Sequence, residues 1–223
     1  MLSFISDLEK LKTVFLKNGT VTPGNSSGIN DGAAAIVLSS AEAVEKYGLK
    51  PKAKILGYGH AGVRPEVMGV GPIPAVQNLL EKTGLVVSDF DVIESNEAFA
   101  AQAIAVNRGL NLDPAIVNPN GGAIALGHPV GATGAIITLK ALYQLENING
   151  KRALITMCIG GGQGIALAIE SLCFSPITNN LLILTRIFPL IIVSLNKILC
   201  ITSFKNTNTN EVGGWKIIFK ILN

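Results

Sequence analysis

The chain has 223 residues, 48% of them apolar and 15% charged, with a formal net charge of +3. That is enough apolar material for one core of ordinary size or two small ones, and it excludes a disordered chain. The charge is local: residues 1–172 hold 13 Lys and Arg against 14 Asp and Glu, and residues 173–223 hold five against one. No basic run with interleaved aromatics occurs, so nucleic acid is not an expected partner.

In chain order, residues 1–17 carry Asp7 and Glu9 early and lack a continuous apolar core, which argues against a secretory or transit segment. Residues 33–38 read as a strand and 41–47 as a helix stopped by Gly48. A strand over 54–60 and a helix over 75–82, with Val76, Leu79 and Leu80 at helical spacing before Gly84, follow. A strand over 91–94 and a helix over 97–107 repeat the order. A third strand over 115–118 leads to a helix over 132–145, and strands over 152–158 and 165–170 close the set, joined by Gly160, Gly161, Gly162 and Gly164. The sum from residue 54 is βαβαβαββ. That alternation predicts an α/β fold with a mainly parallel sheet covered on both faces, and an antiparallel closing pair.

The last 51 residues contain no alanine and are dominated by Ile, Leu, Asn, Lys and Phe. A membrane anchor over 181–199 is disfavoured, because Arg186, Pro189 and Lys197 interrupt it. The composition is that of A+T-rich non-coding sequence translated through, so residues 173–223 are expected to be a read-through or disordered tail. His60 and His128 are the only imidazoles, and Cys158, Cys173 and Cys200 show no CxxC spacing. No metal site is therefore expected, and a reducing compartment is favoured. The cytoplasm is the expected location, with the mitochondrion as alternative if an organelle address lies upstream.

Ligands of open parallel sheets bind beyond the C-terminal strand ends, which points to residues just after each strand. Asn96 follows the strand over 91–94, His128 lies in the loop before the helix over 132–145, and Cys158 closes a strand ahead of the glycines. Singly, each has a plainer use: Asn96 as a helix N-cap, His128 as a structural imidazole, Cys158 as an inert buried thiol. Their convergence at one sheet end favours function. Gly160 to Gly164 imitates a dinucleotide loop, but a strand follows where that fingerprint needs a helix. A tight turn presenting backbone N–H groups to a substrate is the better use.

These residues carry a family resemblance. Asn96-Glu97-Ala98-Phe99-Ala100, the run from Gly121 through Gly127 to His128-Pro129, and Cys158-Ile159-Gly160-Gly161-Gly162-Gln163-Gly164 resemble three thiolase signatures in order; the run from Gly24 to Gly32 resembles a fourth. The resemblance spans about residues 8–172 and looks nearest to acetyl-CoA acetyltransferases and broader β-ketothiolases. It implies the C-terminal βαβαβαββ half of a layered αβαβα sandwich. Residues 1–29 would end a loop domain, 30–50 return to the first half, 51–172 form the second half, and 173–223 lie outside the family.

The implied chemistry is Claisen condensation of two acetyl-CoA, or thiolysis of a 3-ketoacyl-CoA. In the family pattern His128 activates a nucleophilic cysteine, and Cys158 exchanges the proton alpha to the thioester, a task suited to a pKa brought toward neutrality. His128, with a water held by Asn96, would stabilise the enolate oxygen, and the Gly160 N–H would be one donor of a second oxyanion hole. Ser27, Phe15, Met68, Ala98 and Phe99 match positions lining the channel for the coenzyme A tail. Coenzyme A thioesters are then substrates, no cofactor is needed, and the complete enzyme would be a homo-oligomer. The nucleophilic cysteine belongs to a first half absent from these motifs, so this chain alone is expected to be inactive. A non-catalytic remnant or acyl-CoA-binding module is the alternative.

Overall fold

The computed structural model describes residues 5–172; the first four residues, and the tail expected to be read-through or disordered, lie outside the described residues. A short helix α1 (Ile5–Leu8) and an irregular arm lead to α2 (Ala41–Tyr47). Ser40 caps α2 by accepting the Ala43 N–H at 3.2 Å, and Gly48 ends it in the left-handed region. There follow β1 (Ala53–Gly62), α3 (Pro72–Thr83), β2 (Val92–Ser95), α4 (Ala100–Gly109), a short α5 (Ala123–Leu126), α6 (Thr133–Ile148), β3 (Arg152–Ile159) and β4 (Gln163–Ser171). Helix α3 starts three residues earlier than its apolar spacing indicates, because Pro72 at the first helical position is already set for the helix.

The four strands lie in the order β1-β4-β3-β2. β1 and β3 run antiparallel to β4, as expected for the closing pair, while β2 runs parallel to β3. The sheet is therefore mixed rather than mainly parallel: the short Gly-rich link can only reverse the chain, and β4 then pairs on both its edges. Strand alternation separates two cores. On one face Ile93, Leu154, Ala166 and Ala168 pack with Ala75, Val76 and Leu79 of α3 and Val106 of α4. On the other, Val92, Ala153, Ile155 and Ile169 meet Ile137, Ala141 and Leu145 of α6. Helices thus cover both faces, as expected.

Three expected elements differ. Residues 33–38 form no strand, although their composition suits one; no neighbouring strand supplies a ladder for them among the described residues. Residues 115–118 contribute only a parallel bridge between Ile93 and Val117, with Ile93 N–H donating to Ile116 O at 2.9 Å and Asn118 N–H to Ile93 O at 2.8 Å. Asn118 then turns left-handed at φ 47°, ending the pairing. Its side chain prolongs the ladder instead, accepting the Ser95 N–H at 2.9 Å and donating to Ser95 O at 2.8 Å.

The third difference bears on the site. The helix expected from residue 97 begins only at Ala100, because Ala98 and Phe99 are tied to the arm, Phe99 in an extended conformation: Ser26 bridges Phe99, and Ser27 N–H donates to Ala98 O at 3.0 Å. Asn96 is thereby removed from any N-cap position. Gln102 of α4 reaches back to accept the Ala98 N–H at 3.2 Å.

Candidate functional site

Asn96 leaves the C-terminal end of β2, where its N–H donates to Thr156 O of β3 at 3.0 Å. Its side chain is almost wholly buried, and Nδ2 lies 3.5 Å from Nε2 of His128. The other amide atom, Oδ1, is buried without a partner among the described residues. Thr156 precedes Cys158 by two residues on β3, so the backbone that fixes Asn96 also carries the cysteine to the same sheet end. Cys158 is buried, and burial raises its thiol above the ordinary cysteine range. This departs from the expectation of a pKa brought toward neutrality: desolvation disfavours the thiolate here.

His128 is placed by two segments. Its N–H donates to Gly28 O at 2.9 Å and is shared with Asn30 Oδ1 at 3.3 Å, while Ile29 bridges it in parallel. Its ring Nδ1 lies 2.7 Å from Thr133 Oγ1 at the start of α6. Burial lowers its pKa, since a partly desolvated imidazole resists protonation. The loop that delivers it is anchored from β2. Glu97 Oε2 accepts the Ile124 N–H at 3.2 Å, and Oε1 accepts from Asn118 Nδ2 at 3.3 Å. A side chain at Gly122 would occupy the space of that carboxylate. Lys140 of α6 adds a second tie, donating to Glu94 Oε2 at 2.8 Å and to Gly121 O at 2.5 Å. Burial raises the Glu94 carboxyl, and Lys140 opposes that shift.

The residues expected along a coenzyme A channel gather beside this group. Phe15 meets Phe99 edge to face with centroids 5.6 Å apart, and Ser27 and Ala98 share the backbone bond described above. Ser26 to Asn30 is one strip that touches Ala98 and Phe99 at one end and His128 at the other. Met68 lies on a 3-10 segment (Pro65–Val70), next to Gly69, whose backbone packs on Gln102 behind Ala98. Gly160 sits in the exposed turn between β3 and β4, with Gln163 Nε2 donating to its carbonyl at 3.4 Å. Sequence reasoning did not single out Thr133, Asn118 or Gln102. Glu97 and Asn30 were visible only as members of the quoted motifs.

The arrangement can hold a buried amide against an imidazole with a vacated Oδ1 lone pair for a further donor, beside a protonated thiol and a strip of apolar and backbone groups. Among the described residues no cluster of His, Cys, Asp or Glu fits a metal ion, and no helix is long and apolar enough to cross a membrane.

Comparison with known proteins adds independent findings. The thiolase C-terminal domain description matches residues 49–171, and the thiolase N-terminal domain description matches residues 3–42. The β-ketothiolase BktB of Cupriavidus necator is 62% identical over 167 residues, covering 74% of this chain and 42% of its own length. The mitochondrial 3-ketoacyl-CoA thiolase of Bos taurus is 51% identical over 167 residues, with 75% and 42% covered. The crystal structure of human mitochondrial 3-ketoacyl-CoA thiolase matches with a TM-score of 0.74 at 49% identity, covering 77% of this chain and 43% of that one, and its complex with CoA matches equally. The chain spans about two-fifths of the length of the curated relatives it matches.

Proposed function

This chain belongs to the thiolase family, and on that premise we propose that it carries the enolate- and proton-handling part of a coenzyme-A-dependent acyltransferase site. The complete protein would condense two acetyl-CoA to acetoacetyl-CoA, or run the reverse thiolysis on a 3-ketoacyl-CoA. The observation that carries this reading is the buried Asn96 beside His128 at the sheet end that also bears Cys158. A thioester enolate needs hydrogen-bond donors aimed at its oxygen and an acid or base at its alpha carbon.

Each residue then has a task. His128 Nε2 takes the proton of the nucleophilic cysteine, and afterwards, protonated, donates to the thioester oxygen together with a water held by Asn96. Cys158, kept as a thiol by burial, delivers a proton to the alpha carbon in the thiolytic direction and becomes the thiolate; in condensation that thiolate takes the alpha proton back and returns to the thiol. The Gly160 N–H, in an exposed turn, serves the oxyanion of the acyl-enzyme. Phe15, Ser27, Met68, Ala98 and Phe99 line the path of the coenzyme A tail, with the human relative's CoA complex as the supporting likeness. The nucleophile that carries the acyl group is supplied from outside these motifs, and the assembled enzyme is a homo-oligomer acting in the cytoplasm, or in the mitochondrion as for the bovine relative.

A chimera tests this. Residues 5–172 replace the matching segment of the Cupriavidus β-ketothiolase, and acetoacetyl-CoA thiolysis is assayed. Turnover is expected, with a loss on the order of a hundredfold or more for Cys158→Ala and for His128→Ala. A folded chimera without turnover overturns the reading and leaves a non-catalytic acyl-CoA-binding module. The 223-residue chain alone is expected to show no thiolysis.

A further inference from the structure

We propose that Thr133 is the positioning residue of His128, its hydroxyl holding the imidazole as the Nδ1–H tautomer so that Nε2 turns a lone pair toward Asn96 and the site. The role assigned to His128 above is the reading on which this rests.

Thr133 Oγ1 has two close partners, His128 Nδ1 at 2.7 Å and Pro129 O at 2.9 Å. Pro129 O can only accept. A threonine in the first turn of a helix commonly gives its proton to the carbonyl four residues back, and the residue is buried, so water does not compete for it. That carbonyl also accepts the N–H groups of Ala132 and Thr133, each at 2.8 Å. Those two bonds hold the carbonyl oxygen in place 2.9 Å from Oγ1, and because a carbonyl can only accept, the proton of the bond between them comes from the hydroxyl. With the hydroxyl proton committed, Oγ1 offers His128 a lone pair and the proton of the neutral ring must sit on Nδ1.

The opposite side of the ring agrees. Asn96 presents Nδ2, a donor, at 3.5 Å from Nε2, which suits a bare Nε2. A ring that must first take a proton from a thiol needs that lone pair facing the site; a free histidine side chain in water favours the other tautomer. Thr133 thus supplies the bias, and the Ala132–Thr133 turn supplies its rigidity. A serine retains the hydroxyl and a valine retains the shape without it.

Nitrogen-15 NMR of the uniformly labelled 223-residue chain at mildly alkaline pH reads the tautomer directly. The two histidines are told apart by His60→Gln, a change on β1, which is separated from the Cys158 strand by β4. The expected spectrum gives His128 a pyrrole-like δ1 and a pyridine-like ε2 nitrogen, unchanged in Thr133→Ser. In Thr133→Val the Nδ1–H share falls from nearly all to a minority. An Nε2–H ring in the unmodified chain overturns the proposal, as does an unshifted spectrum in a folded Thr133→Val chain. Should the valine variant unfold, the unmodified and serine spectra still decide. No turnover enters the measurement, so its failure leaves the thiolase reading standing, and an inactive chimera leaves the tautomer unaffected.

Discussion

The thiol at the end of β3 is buried, and burial raises its pKa above the ordinary cysteine value of 9.0. The unfolded chain therefore loses this proton at a lower pH than the folded one. The stability tied to the protonated thiol is fully present below the unfolded value and is lost as pH rises through the folded value. The same shift governs reactivity, since only the thiolate attacks an alkylating agent. Labelling with iodoacetamide, followed by mass spectrometry of the Cys158 peptide, is expected to be slow at neutral pH and to climb only at pH above about 9, more slowly than in the urea-unfolded chain. Rapid labelling of the folded chain at neutral pH would show that something other than desolvation sets the thiol. Such a thiol suits donation of a proton to a carbanion, whereas accepting one requires the substrate or another part of the enzyme to stabilise the thiolate.

At the scale of elements, the turn between β3 and β4 tests how the glycines divide their work. Gly162 lies at φ 90°, and a side chain there would collide with Val63 O, while the Val63 N–H donates to Gly162 O at 2.7 Å. Gly160 faces open space at an ordinary φ. Gly162→Ala is expected to cost about 1–3 kcal/mol and Gly160→Ala no more than roughly 0.5 kcal/mol, read as shifts in the urea midpoint. Equal costs would mean that the turn is held by something other than these contacts. Both glycines read alike in the sequence, where only the turn itself was legible from the two flanking strands. The strands and the helices α2, α3 and α6 were legible because their periodicity is local. The start of α4 was not, since Ala98 and Phe99 are tied by Ser26 and Ser27, some seventy residues away. For the same reason Asn96, Cys158 and His128 were legible as a set through their motifs, while Thr133, whose importance lies in a 2.7 Å contact with His128 across a turn, had no signal in composition or period.

Across the whole molecule, the two cores lie on either side of the sheet, and the arm before α2 adds little to either. Phe15, Leu16, Ile29, Val37 and Leu38, spread over the arm, are between 71% and 89% exposed. Isolated exposed leucines are ordinary, but a series of this kind promotes association between copies. The segment over 33–38 also has the composition of a strand and forms none, because a strand needs a neighbouring strand to complete its ladder and no strand lies beside it among the described residues. Two measurements follow from one cause. Sedimentation velocity of the 223-residue chain is expected to show a weight-average sedimentation coefficient that rises with concentration. Hydrogen exchange is expected to find the amides of Ile36, Val37 and Leu38 unprotected, while those of Leu154 and Ile155, inside the ladder between β2 and β4, exchange slowly. In the chimera with the Cupriavidus enzyme the same three amides should gain protection as the association weakens, since pairing the segment satisfies its backbone and covers its side chains together. Protection of Ile36 to Leu38 already present in the isolated chain at low concentration would show that the arm finds its partner within these 223 residues, and would remove the reason for expecting the chain to self-associate.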